Sequence, residues 1–195
     1  MIKIPGGGNC ERSIVLVGLM GAGKSCIGKR LAQHYGLPFV DADREIEAAA
    51  GCSISDFFEL HGEQAFRDGE RRVIARLLSN PQHVLATGGG AFMDTQTRRL
   101  IKERSVSIWL RAELDQLLKR VGRRNDRPLL KNVDQRAKLN ELIDVRYPVY
   151  AEADIVVDSA DGPPEMTLDR VLHAFEDHLN PPPPIQPADA PRPTL

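Results

Sequence analysis

The run Ile14-Val15-Leu16-Val17, followed at once by GLMGAGKS over residues 18–25, leaves this chain few ways to fold. A buried strand that ends in a glycine-rich turn and passes straight into a helix aims several backbone N–H groups into one concavity. The helix dipole adds positive potential there. The spacing fits G-x-x-x-x-G-K-[ST], so polyphosphate is the expected occupant. Gly21, Ala22 and Gly23 supply backbone, Lys24 an ammonium for the β and γ phosphates, and Ser25 a hydroxyl for the Mg²⁺ that travels with ATP. A chance match in a flexible loop would lack the helix that follows. Here Ile27, Leu31 and Tyr35 fall on one stripe at helical spacing, so strand, loop and helix come in the required order.

At 195 residues the chain suits one domain with a substantial core, or one domain plus a short appendage. Its 26 Lys and Arg against 27 Asp and Glu give no global pull toward nucleic acid or an anionic membrane, and small-molecule chemistry fits better. Cys10, Cys26 and Cys52 are odd in number, widely spaced and without a CxxC, which points to a reducing compartment and away from disulfides or a zinc site. No apolar run approaches bilayer length, and residues 1–12 carry no hydrophobic segment resembling a signal peptide. The expectation is a cytoplasmic protein.

Residues 1–12, with glycines in Pro5 to Asn9, read as a flexible leader, and 179–195 as a proline-rich disordered tail. The folded unit is expected over 13–178. Within it, apolar β-type runs recur at Ile14 to Val17, Pro38 to Val40, His83 to Thr87, Val106 to Leu110 and Asp154 to Val157, with amphipathic helical segments between them. That alternation predicts an α/β fold with a five-stranded parallel sheet covered on both faces, its ligands at the carboxyl ends of the strands. Two longer insertions, Asp41 to about Asn80 and Glu113 to Tyr150, are large enough to form a substrate pocket or a lid.

Several motifs fall at those strand ends. Asp41 and Asp43, in Val-Asp-Ala-Asp, are two residues apart and point the same way if the chain stays extended. One would hold metal-bound water and the other would orient or deprotonate a hydroxyl; alternatively, one of them caps the following helix. Gly88-Gly89-Gly90 lets backbone approach a ligand closely, or makes an ordinary tight turn. Arg67, Arg127 and Arg146 offer guanidinium forks suited to carboxylate or phosphate, unless they are solvated surface residues. The basic run Lys119, Arg120, Arg123, Arg124 and Arg127 has no interleaved aromatics for base stacking, so a phosphate-covering lid is favoured over RNA binding.

Taken together, GLMGAGKS, the DAD, HGEQAFRDGE, TGGG, DRPLL and RYPVY resemble the shikimate kinase family over roughly Ser13 to His178, in the same order. The resemblance implies the three-layer α/β/α P-loop kinase fold of nucleoside monophosphate kinases, with strand order 2-3-1-4-5. It also implies transfer of the ATP γ-phosphate to the 3-hydroxyl of shikimate, in the chorismate pathway to aromatic amino acids. Carried over by position, it makes Asp43, Arg67, Gly89 and Arg146 the shikimate site, with Gly88 and Gly90 beside Gly89. Phe58 and Phe66 would pack against the ring or belong to the core. Lys24 and Arg127 would neutralise the transferring phosphoryl group, and Ser25 would bind Mg²⁺ directly. Asp41 would act through metal-bound water. Arg120 and Pro164 match positions flanking adenine, and residues 121–133 would form the lid. A monomer is implied, with ATP and shikimate as partners and neither nucleic acid nor membrane. Cys26 stands where the family commonly has threonine, placing a thiol at a helix N-terminus where it is expected to react with thiol reagents.

Two rivals remain at the level of sequence. Another small-molecule P-loop kinase, acting on gluconate or a nucleoside monophosphate, shares the loop, but Arg67, TGGG and Arg146 suit a carboxylated polyhydroxyl ring. A non-catalytic nucleotide-binding regulator would be expected to lack Lys24, Asp43 or Arg127, and all three are present.

Overall fold

Five parallel strands form the centre of the computed structural model, which describes residues 2–3, 9–122 and 134–181. Two short strands come first, β1 (Ile2–Lys3) and β2 (Asn9–Cys10), followed by β3 (Ser13–Val17) and helix α1 (Lys24–Tyr35). Then come β4 (Phe39–Asp41), α2 (Ala42–Ala50), α3 (Ile54–Leu77) and β5 (Val84–Ala86). A 3₁₀ turn (Ala91–Met93) leads to α4 (Thr95–Arg104) and β6 (Ser105–Arg111). The chain closes with α5 (Leu114–Val121), α6 (Gln135–Tyr150), β7 (Ile155–Asp158) and α7 (Pro164–Leu179).

The main sheet runs β4-β5-β3-β6-β7, which is 2-3-1-4-5 when its own strands are counted in chain order. β3 lies at its middle, pairing in parallel with β5 on one side and β6 on the other. Every residue of β3 is buried, as expected for a strand covered on both faces. The stripe expected on α1 holds, with Ile27 and Leu31 buried and Tyr35 packed at the edge of the core. Since all five strands run the same way, their carboxyl ends bring together the turn after β3, the start of α2 and the turn after β5.

Three expectations need correction. The leader is not wholly flexible: β1 and β2 pair antiparallel, and Ile2 and Cys10 are 1% and 4% exposed within the core. Gln82 clips this hairpin to the amino end of the sheet by donating to the Cys10 and Arg12 carbonyls at 2.8 and 2.9 Å. At the other end, Leu179 closes α7 and packs on the core, so the tail begins after it; residues 182–195 lie outside the described residues. The chain also does not stay extended through Val-Asp-Ala-Asp, because Asp41 ends β4 and Asp43 already lies in α2.

The insertion between β4 and β5 is mostly helical, formed by α2 and α3. Gly62, at φ 78° and ψ 174°, breaks α3 into two helical segments, a conformation that glycine reaches without Cβ strain. The second segment carries Phe66, Arg67, Glu70 and Ile74 toward the sheet, and Ile74 is fully buried.

Candidate active site

The turn after β3 winds tightly because Gly21 and Gly23 take φ of 83° and 99°, in the left-handed region. Gly23 is the N-cap of α1, so Lys24 and Ser25 open the helix at its positive end. Ala22 is buried beneath the turn. Lys24 folds over the loop and donates from Nζ to the carbonyls of Gly18 and Leu19 at 2.8 and 3.0 Å. The ammonium is thus held against the concavity it was expected to serve. Cys26, next along, is exposed, with Arg30 Nη1 3.0 Å from its sulfur.

Asp41 serves two elements with its two oxygens. Oδ1 accepts the Asp43 backbone N–H at 3.2 Å and caps α2, while Oδ2 accepts the Ser25 hydroxyl at 2.7 Å. The capping and metal-side alternatives for this residue are therefore compatible, and the carboxylate ties the start of α1 to the start of α2.

The triple glycine is where the scattered residues meet. A Cβ added to Gly88 would lie 2.7 Å from Asp43 Oδ1 and 3.1 Å from Glu70 Oε1. On Gly89 it would lie 3.4 Å from Arg146 Nη1, and on Gly90 2.6 Å from Arg67 Nη2. At Gly88 and Gly90 a larger residue would force these charged side chains to shift, whereas at Gly89 it would only touch Arg146. Arg67 and Arg146 also line a cleft of about 410 Å³, together with Arg71, Gly90, Asp94 and Glu141.

Glu70 is the residue that sequence reasoning passed over, although it ends the quoted segment HGEQAFRDGE. It is 3% exposed and accepts from Arg67 Nη1 at 2.6 Å. Burial pushes its carboxyl above the ordinary glutamate range; Arg67 pulls it back, Asp43 pushes it further up and Arg146 pulls it down. Burial likewise opposes the charge on Arg67, but Glu70 and then Glu63 outweigh it and raise the guanidinium further. The signal available in the sequence was the i, i+3 spacing of Arg67 and Glu70 on one helix. Tyr150, within RYPVY, was also passed over.

Phe66 is buried and packs on Phe58 with ring centroids 4.5 Å apart, and the Arg67 guanidinium sits 5.2 Å from the Phe66 ring. Both aromatic rings thus support the helix that carries Arg67. Arg120 donates to the Ser159 hydroxyl at 2.8 Å, the Ala160 carbonyl at 2.9 Å and, at 3.4 Å, the Gly21 carbonyl. It joins the phosphate loop to the segment after β7, and Pro164 opens α7 just beyond that segment. Arg127 and residues 123–133 of the expected lid lie outside the described residues.

A family model described as shikimate kinase matches residues 20–176. A shikimate kinase from Paramagnetospirillum magneticum is 58% identical over 173 residues, covering 89% of each chain. Among solved structures, a shikimate kinase from Acinetobacter baumannii in complex with shikimate superposes with a TM-score of 0.82 at 36% identity, over 86% of this chain and 94% of that one. A gluconokinase from Sinorhizobium meliloti reaches a TM-score of 0.62 at 18% identity, over 87% of this chain and 94% of that one, which reflects the shared fold alone. The family model spans most of the chain, and the sequence identity is far above what fold likeness alone gives. This chain belongs to the shikimate kinase family.

Proposed function

We propose that this protein transfers the γ-phosphoryl group of ATP to the 3-hydroxyl of shikimate, giving shikimate 3-phosphate and ADP for the chorismate pathway. The observation that carries this reading is the convergence of Asp43, Arg67 and Arg146 on the triple glycine, at the same end of the sheet as the phosphate loop. Shikimate carries one carboxylate and several ring hydroxyls. Two arginines anchor the charge as planar forks, while Asp43 and the Gly88 to Gly90 backbone hold the hydroxyl face.

Asp43 accepts a hydrogen bond from the attacking hydroxyl, orients its lone pair toward the γ-phosphorus and takes up the proton as the bond to phosphorus forms. Lys24 and Arg127 stabilise charge on the equatorial oxygens, and the loop amides of Gly21 to Ser25 hold the β-phosphate. Ser25 and Asp41 offer hard oxygen donors 2.7 Å apart, which fit Mg²⁺ with phosphate oxygens and water as its remaining ligands. Ser25 would ligate it directly and Asp41 through a water. When bound, Mg²⁺ neutralises charge on the β and γ phosphates. Arg120 and Pro164 flank the adenine, Phe58 and Phe66 back the ring site, Cys26 borders the nucleotide, and residues 121–133 close to exclude water.

We further infer a monomer in the cytoplasm with small-molecule substrates, acting on neither nucleic acid nor membrane. No helix among the described residues is long and apolar enough to cross a membrane. The deciding experiment is a coupled ADP-release assay with ATP and Mg²⁺, run in parallel with shikimate, gluconate and nucleoside monophosphates. Turnover with shikimate alone is expected; turnover with gluconate and none with shikimate would end this reading.

A further inference from the structure

The carbonyls of the triple glycine are held in two different ways. Those of Gly88 and Gly90 accept from backbone N–H groups, of Ala91 at 3.2 Å and Met93 at 3.0 Å. The Gly89 carbonyl instead accepts from two side chains of α6: Arg146 Nη1 at 2.9 Å and the Tyr150 hydroxyl. A carbonyl oxygen has two lone pairs, and these two donors use both. Residues 146 and 150 are one helical turn apart, so their side chains lie along the same face of α6.

Tyr150 is 0% exposed, and its ring packs among Trp109, Phe92 and Tyr147, with centroids 5.8, 6.4 and 6.3 Å away. Burial pushes the phenol up to about 12, with Arg146 beside it pulling the other way, so the hydroxyl keeps its proton and remains a donor at every working pH. Arg146 is 9% exposed, and at this corner its guanidinium donates to the Gly89 carbonyl with Tyr150 and Glu70 close by. Its guanidinium must stay in one rotamer to present a fork to a carboxylate. We propose that Tyr150 is a positioning residue for the acceptor site: by pinning the Gly89 carbonyl, it fixes the anchor against which Arg146 is oriented to receive the substrate carboxylate. This rests on the assignment of Arg146 to shikimate binding.

The same helix supplies a matched control. Tyr147, three residues earlier, donates its hydroxyl to the Ala112 carbonyl beside β6, packs against Trp109 at 4.9 Å, and is only partly buried. Tyr147→Phe therefore deletes a tyrosine-to-carbonyl hydrogen bond from α6 that does not involve the triple glycine. Tyr150→Phe keeps the buried ring and removes only the hydroxyl.

The test is titration calorimetry with shikimate and, separately, with ATP and Mg²⁺, on the full chain, Tyr150→Phe and Tyr147→Phe, alongside steady-state kinetics and melting curves. Tyr150→Phe is expected to weaken shikimate binding about 10-fold, the loss of roughly one hydrogen bond, and to raise the shikimate KM similarly. ATP affinity is expected to change less than 2-fold and kcat less than 3-fold, and Tyr147→Phe is expected to bind shikimate like the unaltered chain. The proposal is overturned if Tyr150→Phe binds shikimate normally, or if both variants weaken both substrates alike in step with lowered melting temperature. If the unaltered chain itself fails to bind shikimate, the functional reading falls first.

Discussion

On the phosphate-loop side of the site, one uninterrupted stretch, Gly18 to Ser25, supplies the concavity, the ammonium and the hydroxyl. On the triple-glycine side, Asp43 comes from α2, Arg67 and Glu70 from α3, and Arg146 and Tyr150 from α6. The first region is built from backbone whose shape the local sequence dictates, and the second from side chains that tertiary packing brings together. The first therefore leans on few distant contacts, chiefly those of Arg120 and Asp41, while the second depends on ion pairs and close approaches between distant elements. Substitutions should separate the two accordingly.

The largest effect is expected from Asp43→Asn. Losing the carboxylate that handles the attacking hydroxyl should cut kcat by about 1,000-fold while leaving ATP affinity within 2-fold. Steady-state kinetics paired with nucleotide binding measures both, and near-normal turnover would remove Asp43 from the chemistry. Next comes Gly88→Ala, whose new methyl would sit 2.7 Å from Asp43 Oδ1. Because displacing a reacting group by about 1 Å costs on the order of 100-fold, kcat/KM for shikimate should fall by about that much, with the ATP KM unchanged. Equal losses for both substrates would mean that the two regions are not separable. The Tyr150→Phe effect, about 10-fold and confined to shikimate, is the next smaller test of the same division.

From the other side, Arg120→Ala should raise the ATP KM about 5-fold and spare shikimate binding, since its hydrogen bonds join the phosphate loop to the segment after β7. A shikimate-selective effect would reverse the assignment.

The smallest effect is a pH dependence of stability. Glu70 titrates above the ordinary glutamate value of 4.5, chiefly because burial penalises its charged form. Its contribution to stability is present in full below that value and is lost as pH climbs through the raised value of the folded state. The melting temperature of the unaltered chain relative to Glu70→Gln should therefore decline as pH rises from about 4.5 toward neutrality. A difference that grows with pH would mean that the Arg67 ion pair outweighs burial.

The same division explains what could be read in the sequence. The loop was legible because strand, turn and helix are contiguous, and the order of the sheet came with the family resemblance. Asp43, Arg67 and Arg146 stood out as candidates by their chemistry and position, but only the resemblance joined them into one site, since nothing in their local spacing says that they meet at one turn. Glu70 escaped because an acidic residue three positions from an arginine is ordinary on an exposed helix, and only the packing of α3 onto the sheet buries it. Tyr150 looked like one more core aromatic, which it also is. The hairpin of β1 and β2 escaped because strands of two residues carry no periodicity to detect.

Asp41 has a further consequence for how variants of this protein are interpreted. Its two oxygens answer to different masters, one to the first turn of α2 and the other to the Ser25 hydroxyl. The residue is pleiotropic by construction. Asp41→Asn keeps an acceptor for one partner while presenting an amide to the other, and Asp41→Ala strips both and frays the helix that bears Asp43. A loss of activity at this position will combine the lost cap of α2 with the lost acceptor for Ser25, so Ser25→Ala is the cleaner probe of that second contact.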